Sequence, residues 1–169
     1  MPGRYTVAVL SQKQDVTVEP DPRFSISDAD RQKRHAAIAS AYSMQQQLTP
    51  AREAAVSLTE QLAALRQYFV ALGESGKPLQ AIDKLSGEIS RAQGQVDRAI
   101  GAGAQVQNAI DGYDGLPTAQ QLHQLDWAWE DAAAAVSGWN KVVSESVPAT
   151  FASLGVKPPV VKPVAVPAR

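Results

Sequence analysis

Every third or fourth residue along 37–72 is apolar: Ala37, Ala41, Met44, Leu48, Ala51, Ala55, Leu58, Leu62, Leu65, Phe69 and Leu72. The steps alternate four and three without a slip. That is the two-per-heptad stripe of a helix packed lengthwise against other long helices. A second stripe runs Ile82, Leu85, Ile89, Ala92, Val96, Ala99, Gly103, Val106, Ile110 and Tyr113, and a third runs Leu122, Leu125, Trp129, Ala132, Val136, Trp139 and Val143. In the third, small Ala132 leaves room for the two indoles. Turn chemistry separates the three: Gly73, Gly76 and Pro78 after the first, Gly112 to Pro117 after the second. Short connections force antiparallel neighbours. The expectation is a mainly α fold, an up-down-up three-helix bundle with helices at about 28–72, 78–111 and 118–146, roughly 45–50 Å long at 1.5 Å per residue.

The helix ends carry their own signals. Ser27 or Asp28 offers an oxygen to the first free amides of the first helix, with Asp30 in its first turn, and Thr118 caps the third. Pro50 lies inside the first helix, where its ring removes one backbone bond, so a kink or break is expected near 46–49. Thr49 is positioned to cap a restarted helix, but the stripe keeps its phase across Pro50, which favours one continuous element. Pro148 is expected to stop the third helix, with one more turn over 148–154 closed by Gly155.

Both ends differ from this middle. Tyr5, Val7 and Val9 alternate with Thr6, Ala8 and Leu10, and Val16-Thr17-Val18 follows, which reads as a β-hairpin within 1–20. Apolar residues fall on both faces of the first strand by this reading, and two strands alone are marginal in water. The pair either lies on the helices or ends a sheet whose other strands are elsewhere; the second is preferred. Pro20, Asp21 and Pro22 begin a stiff linker over 21–27. Residues 155–169 carry four prolines among valines and alanines, and are expected to be extended, polyproline-like and mobile.

The chain of 169 residues has a formal net charge of −1, so no nucleic-acid footprint is indicated. Arg31, Lys33 and Arg34 form the one tight basic group and read as a solvated helix face. Without cysteine there is no thiolate chemistry. No apolar run approaches a membrane span, so no membrane insertion is expected. Residues 1–10 lack the pattern of a secretory signal, which leaves the chain, read alone, cytoplasmic.

The search for a site finds little chemistry. His35 and His123 sit on different helices, outside any two-histidine metal spacing, and read as surface residues. Asp126, Glu130 and Asp131 cluster on the third helix and read as solvated carboxylates. Gly101 and Gly103 lie mid-helix without a preceding strand, so they form no dinucleotide turn. No catalytic residue, cofactor or metal ligand is assigned. Two features suggest contact with another chain. Trp127 falls on the outward face of the third helix, with packing against a loop or the terminal segment as the alternative. Gly87, Gly94 and Gly101 recur every seven residues opposite the second stripe. They read either as a groove for a neighbouring backbone or as a weak helix surface outweighed by packing.

Pro2-Gly3-Arg4-Tyr5-Thr6-Val7 resembles the closing strand of a small β-sandwich, and Asp21-Pro22-Arg23 the linker that follows it. Leu116 to Leu122 resembles the start of a later helix, Ala128-Trp129-Glu130-Asp131 its middle, and Val147-Pro148-Ala149 with Leu154 to Pro159 its end. In this order the runs resemble the C-terminal region of large bacterial sortilin-like proteins with BNR-type β-propeller repeats, many labelled glycosyl hydrolases or sialidase-like. The resemblance implies a non-catalytic structural or interaction module, an appendage of an exported propeller protein, with the propeller portion or another chain as partner. It carries over no site residue. Two alternatives stand beside it: a fragment of a glycosyl hydrolase-like protein whose propeller is absent, and a free-standing coiled-coil adaptor.

Overall fold

The computed structural model describes residues 2–23, 26–113 and 115–169. Phe24 and Ser25, inside the expected linker, and Asp114, inside the second expected loop, lie outside the described residues, as does Met1. The chain forms strands β1 (Gly3–Val9) and β2 (Gln12–Val18), then helices α1 (Asp28–Ala71), α2 (Lys77–Asp111) and α3 (Ala119–Lys141). A π-helical turn over Val142–Ser146 joins α3 to a short α4 (Val147–Ser153).

The three long helices pack into the expected bundle, α1 against α2 along their length and α3 mainly against α2. Ion pairs beside the α1/α2 contact record its antiparallel course: Arg34 meets Asp111 at 3.5 Å, Arg52 meets Asp97 at 3.3 Å, and Arg66 meets Asp83 at 2.8 Å. α1 has 44 residues. At 1.5 Å per residue it spans about 66 Å, longer than the expected bundle.

The stripes mark the core with few errors. From Ala37 to Leu62 every stripe residue of α1 is buried, and so is every stripe residue of α2 from Ile82 to Ile110. Stripe residues at the bundle ends escape: Leu72, Tyr113 and Leu122 are exposed. In α3 the buried face is wider than the stripe and includes Ala128 and Ala135. A two-per-heptad stripe assumes one line of contact, whereas α3 touches both α1 and α2 and needs a broader apolar face.

The ends of the helices are closed by identifiable bonds. The Ser27 hydroxyl accepts from the Asp30 amide at 3.1 Å, and Thr118 with Gln121 forms a reciprocal capping box. Gly73, at φ 77°, ends α1: the Glu74 amide donates to Phe69 O and the Gly73 amide to Val70 O, both at 3.0 Å. The same pair of bonds recurs at Gly155, φ 66°, with the Val156 amide on Phe151 O. α2 is closed from outside. Arg34 of α1 donates from Nε to Ile110 O at 3.2 Å and from Nη2 to Asp111 O at 2.6 Å. Arg31 donates to Ile26 O at 2.8 Å. Of the basic group read as a solvated face, only Lys33 is therefore fully exposed. Arg34→Gln is expected to cost about 1.5 kcal/mol, the typical worth of hydrogen bonds from a charged group. Chemical denaturation reads that loss, and hydrogen exchange places it in the last turn of α2.

Pro50 does not break α1; the helix runs through it. Thr49 caps nothing ahead, because its hydroxyl bonds back to Gln45 O at 3.1 Å. Pro148 does not stop the third helix either. The chain widens into the π turn just before it, the Val147 amide reaching back to Val142 O. Such a turn relaxes the ladder where a proline ring would crowd the carbonyl a turn earlier. α4 then runs to Ser153 and is closed by Gly155, which is the helical turn expected over 148–154.

The hairpin pairs Tyr5 with Val16, Val7 with Gln14 and Gly3 with Val18. Paired residues share a face, so Tyr5, Val7, Val9, Val16 and Val18 lie on one side. Arg4, Thr6, Ala8, Lys13, Asp15 and Thr17 lie on the other. The apolar residues that seemed split between faces in the sequence are thus segregated once both strands are counted. Asp15 binds Arg4 at 2.9 Å and Thr6 at 2.8 Å on the polar side. All strand residues are exposed, so the helices do not cover the apolar side.

Candidate functional site

Several hollows mark the surface among the described residues, and three of them bear on the readings above. The first, about 390 Å³, is a shallow groove between α2 and α3. Ala102, Val106, Ala109 and Ala128 line it together with Gln105, Gln124, Trp127 and Asp131, and of these Val106 and Ala128 are buried. Trp127 sits one residue before the buried Ala128 and two before the stripe tryptophan Trp129, about 200° around the helix from the latter and so away from the stripe. Its side chain is 61% exposed. The indole stacks on the His123 ring one turn earlier, centroids 6.5 Å apart at 30°. Among the described residues no loop or terminal segment buries it.

The second hollow, about 490 Å³, lies between the hairpin base and the start of α1. His35, Arg31, Arg34, Asp111, Glu19 and Asp21 line it. His35 thus lines this hollow, while His123 lies against Trp127 on α3. Asp126, Glu130 and Asp131 do not converge: Asp126 pairs with Arg169 at 2.6 Å, while Glu130 and Asp131 are exposed. Among the described residues no three His, Asp or Glu side chains come close enough to hold a metal ion. No helix among them is long and apolar enough to cross a membrane. Among the described residues, the perturbed charges belong to exposed ion pairs. Arg23 holds the Asp21 carboxyl below its ordinary value by side-chain and then backbone hydrogen bonds, and Asp83 raises Arg66.

The third hollow, about 580 Å³, is the one sequence reasoning missed. Residues 157–169 do not hang free but lie as a strap in a groove between α1 and α3, and α1 and the strap form its walls. Val161 and Val164 are half-buried against the core, and Pro167 is buried. Asn140 of α3 and Gln47 of α1 each bond the strap backbone twice. Spacing of apolar residues by three in 161, 164 and 167 was the available signal. Lone Asn140 and Gln47 gave none.

The glycines Gly87, Gly94 and Gly101 remain on open surface. A Cβ at Gly87 or Gly101 would meet nothing within 4 Å, and at Gly94 only Arg98 Nη1 at 4.0 Å. The glycine that does sit at a close approach is Gly103, whose added Cβ would strike the Met44 methyl.

Comparison with protein-family models, curated proteins and solved structures gives no match.

Proposed function

We propose that the chain is a non-catalytic interaction module that binds a partner protein through the α2/α3 face around Trp127. The observation that carries this reading is a large aromatic, mostly exposed, stacked on His123 beside a partly apolar groove. Aromatic anchors next to water-excluding pockets supply most of the energy in protein interfaces. The sequence resemblance to the C-terminal region of sortilin-like BNR-repeat propeller proteins suggests the propeller portion as that partner. The exposed apolar side of the hairpin fits a strand pair that completes a sandwich in such a parent.

Trp127→Ala is expected to weaken binding to a purified propeller portion of that family at least tenfold, about 1.4 kcal/mol, with circular dichroism unchanged. Equal binding by both forms removes Trp127 from the interface. Glycoside turnover by the purified chain would overturn the non-catalytic reading in favour of the hydrolase-like alternative.

A further inference from the structure

We infer that the groove between α1 and α3 is a binding site for extended proline-rich chain, and that residues 157–169 occupy it as a resident, displaceable ligand. This does not depend on the Trp127 face. Burial along the strap recurs every third residue: Val161 and Val164 are half-buried, Pro167 is buried, and Lys162, Pro163, Ala165 and Val166 between them are exposed. Three residues per turn is the polyproline period, and a chain in that form makes no hydrogen bonds of its own. The groove supplies them. Asn140 Nδ2 donates to Val164 O and the Val164 amide donates to Asn140 Oδ1, both at 2.8 Å. One and a third turns further on, Gln47 Nε2 donates to Ala168 O at 3.2 Å and the Ala168 amide donates to Gln47 Oε1 at 3.1 Å. The Arg169 guanidinium meets Asp126 at 2.6 Å and sets the direction of the strap.

Proline-rich peptides are commonly recognised as preformed extended chains in aromatic-lined grooves; here apolar contacts at every third residue, two side-chain amides on the backbone and one directional charge take that part. The bundle helices are complete at Ser153, and Gly155 turns the chain back before the strap begins. The strap can therefore leave without unwinding a helix. Nor does it fill its groove. The cleft of about 580 Å³ remains between it and α1, walled by Pro50, Ala54 and Ser57 on one side and Val160, Val161 and Val164 on the other. The partner that fits is an extended segment with apolar residues at every third position, proline in the last slot and a cation two residues later. The chain's own strap competes with it from a short tether, which lowers the apparent affinity of any outside segment.

The test uses the whole chain carrying Val164→Asp and Pro167→Asp, which empties the slots and leaves Asn140, Gln47 and Asp126 in place. The probe is a labelled synthetic peptide of the sequence 157–169, followed by fluorescence anisotropy. The double variant should bind the peptide at least about tenfold more tightly than the unmodified chain, since the resident competitor is gone. Adding Asn140→Ala and Gln47→Ala should abolish that binding. A double variant that keeps its helical circular dichroism and does not bind the peptide overturns the proposal. Hydrogen exchange on the unmodified chain keeps the proposal testable if the variant does not fold. The Val164 and Ala168 amides should exchange at least about 100-fold faster than the Ile89 and Val96 amides of α2, because the strap opens locally. Equal protection would make the strap a fixed part of the core and overturn the proposal.

Discussion

Gly103→Leu is expected to destabilise the fold by about 3 kcal/mol, the upper part of the range for overpacking a core. Gly103 is buried in α2 where α1 passes closest. A Cβ built there strikes the Met44 methyl, and meets Gln45 Cγ at 3.4 Å and the Ala41 carbonyl oxygen at 3.7 Å. Met44 has no exposed surface, so its methyl cannot swing into solvent. Backbone limits the retreat on the other side. Shrinking the obstructing residue tests the cause. Met44→Ala made with Gly103→Leu should be more stable than the sum of the single changes predicts, a coupling measurable by chemical denaturation of all four proteins. Gly87→Ala, Gly94→Ala and Gly101→Ala together should do the opposite. Each replaces a helical glycine on open surface and gains up to about 1 kcal/mol. A combined gain of about 2 kcal/mol raises Tm by about 4–8 °C for a chain of this size. A Gly103→Leu protein as stable as Gly101→Leu would show that α1 and α2 do not approach there.

The contrast among these glycines shows what the sequence could and could not convey. All four recur at helical spacing, and nothing in their composition separates Gly103 from the rest. Its position on the apolar stripe does separate it, because the stripe is the line along which another helix passes. The bundle was legible for the same reason: Ala37 to Leu62 and Ile82 to Ile110 repeat a pattern with one geometric solution. Helix ends were legible where one residue acts alone, as with Ser27, Thr118, Gly73 and Gly155. They were not legible where a distant residue does the work, as with Arg34 on the last carbonyls of α2. The proline effects were local in origin but settled by packing. Around Pro50 the buried stripe on both sides holds the helix together, and before Pro148 one widened turn lets Val147 and Phe151 stay buried. The strap was misjudged because its prolines signal conformation, whereas its place is fixed by Asn140 and Gln47, which sit far from it in sequence.

Trp139→Ala should cost about 3–5 kcal/mol, the usual range for removing a large aromatic from a core. Such a loss is a large share of the 5–15 kcal/mol by which native proteins are stable. Trp139 is fully buried, and the Ala132 that makes room for it has no exposed surface either. Trp139→Phe should behave differently, changing stability by less than about 1 kcal/mol. Among the described residues the buried Trp139 indole N–H finds no hydrogen-bond acceptor. A buried donor without a partner carries a penalty of about 1–3 kcal/mol, and phenylalanine removes the donor while keeping most of the ring. The cavity left by the smaller ring offsets that gain. Trp129 supplies the control. Its indole donates to Ser40 Oγ at 3.0 Å, across from α3 to α1. Trp129→Phe therefore loses a satisfied bond as well as volume, and should cost more than Trp139→Phe, by about 1 kcal/mol. Chemical denaturation of the three variants gives the order directly. If Trp129→Phe and Trp139→Phe proved equally costly, the difference in hydrogen bonding between the two indoles would have no bearing on stability. Packing alone would then explain why the third helix carries both.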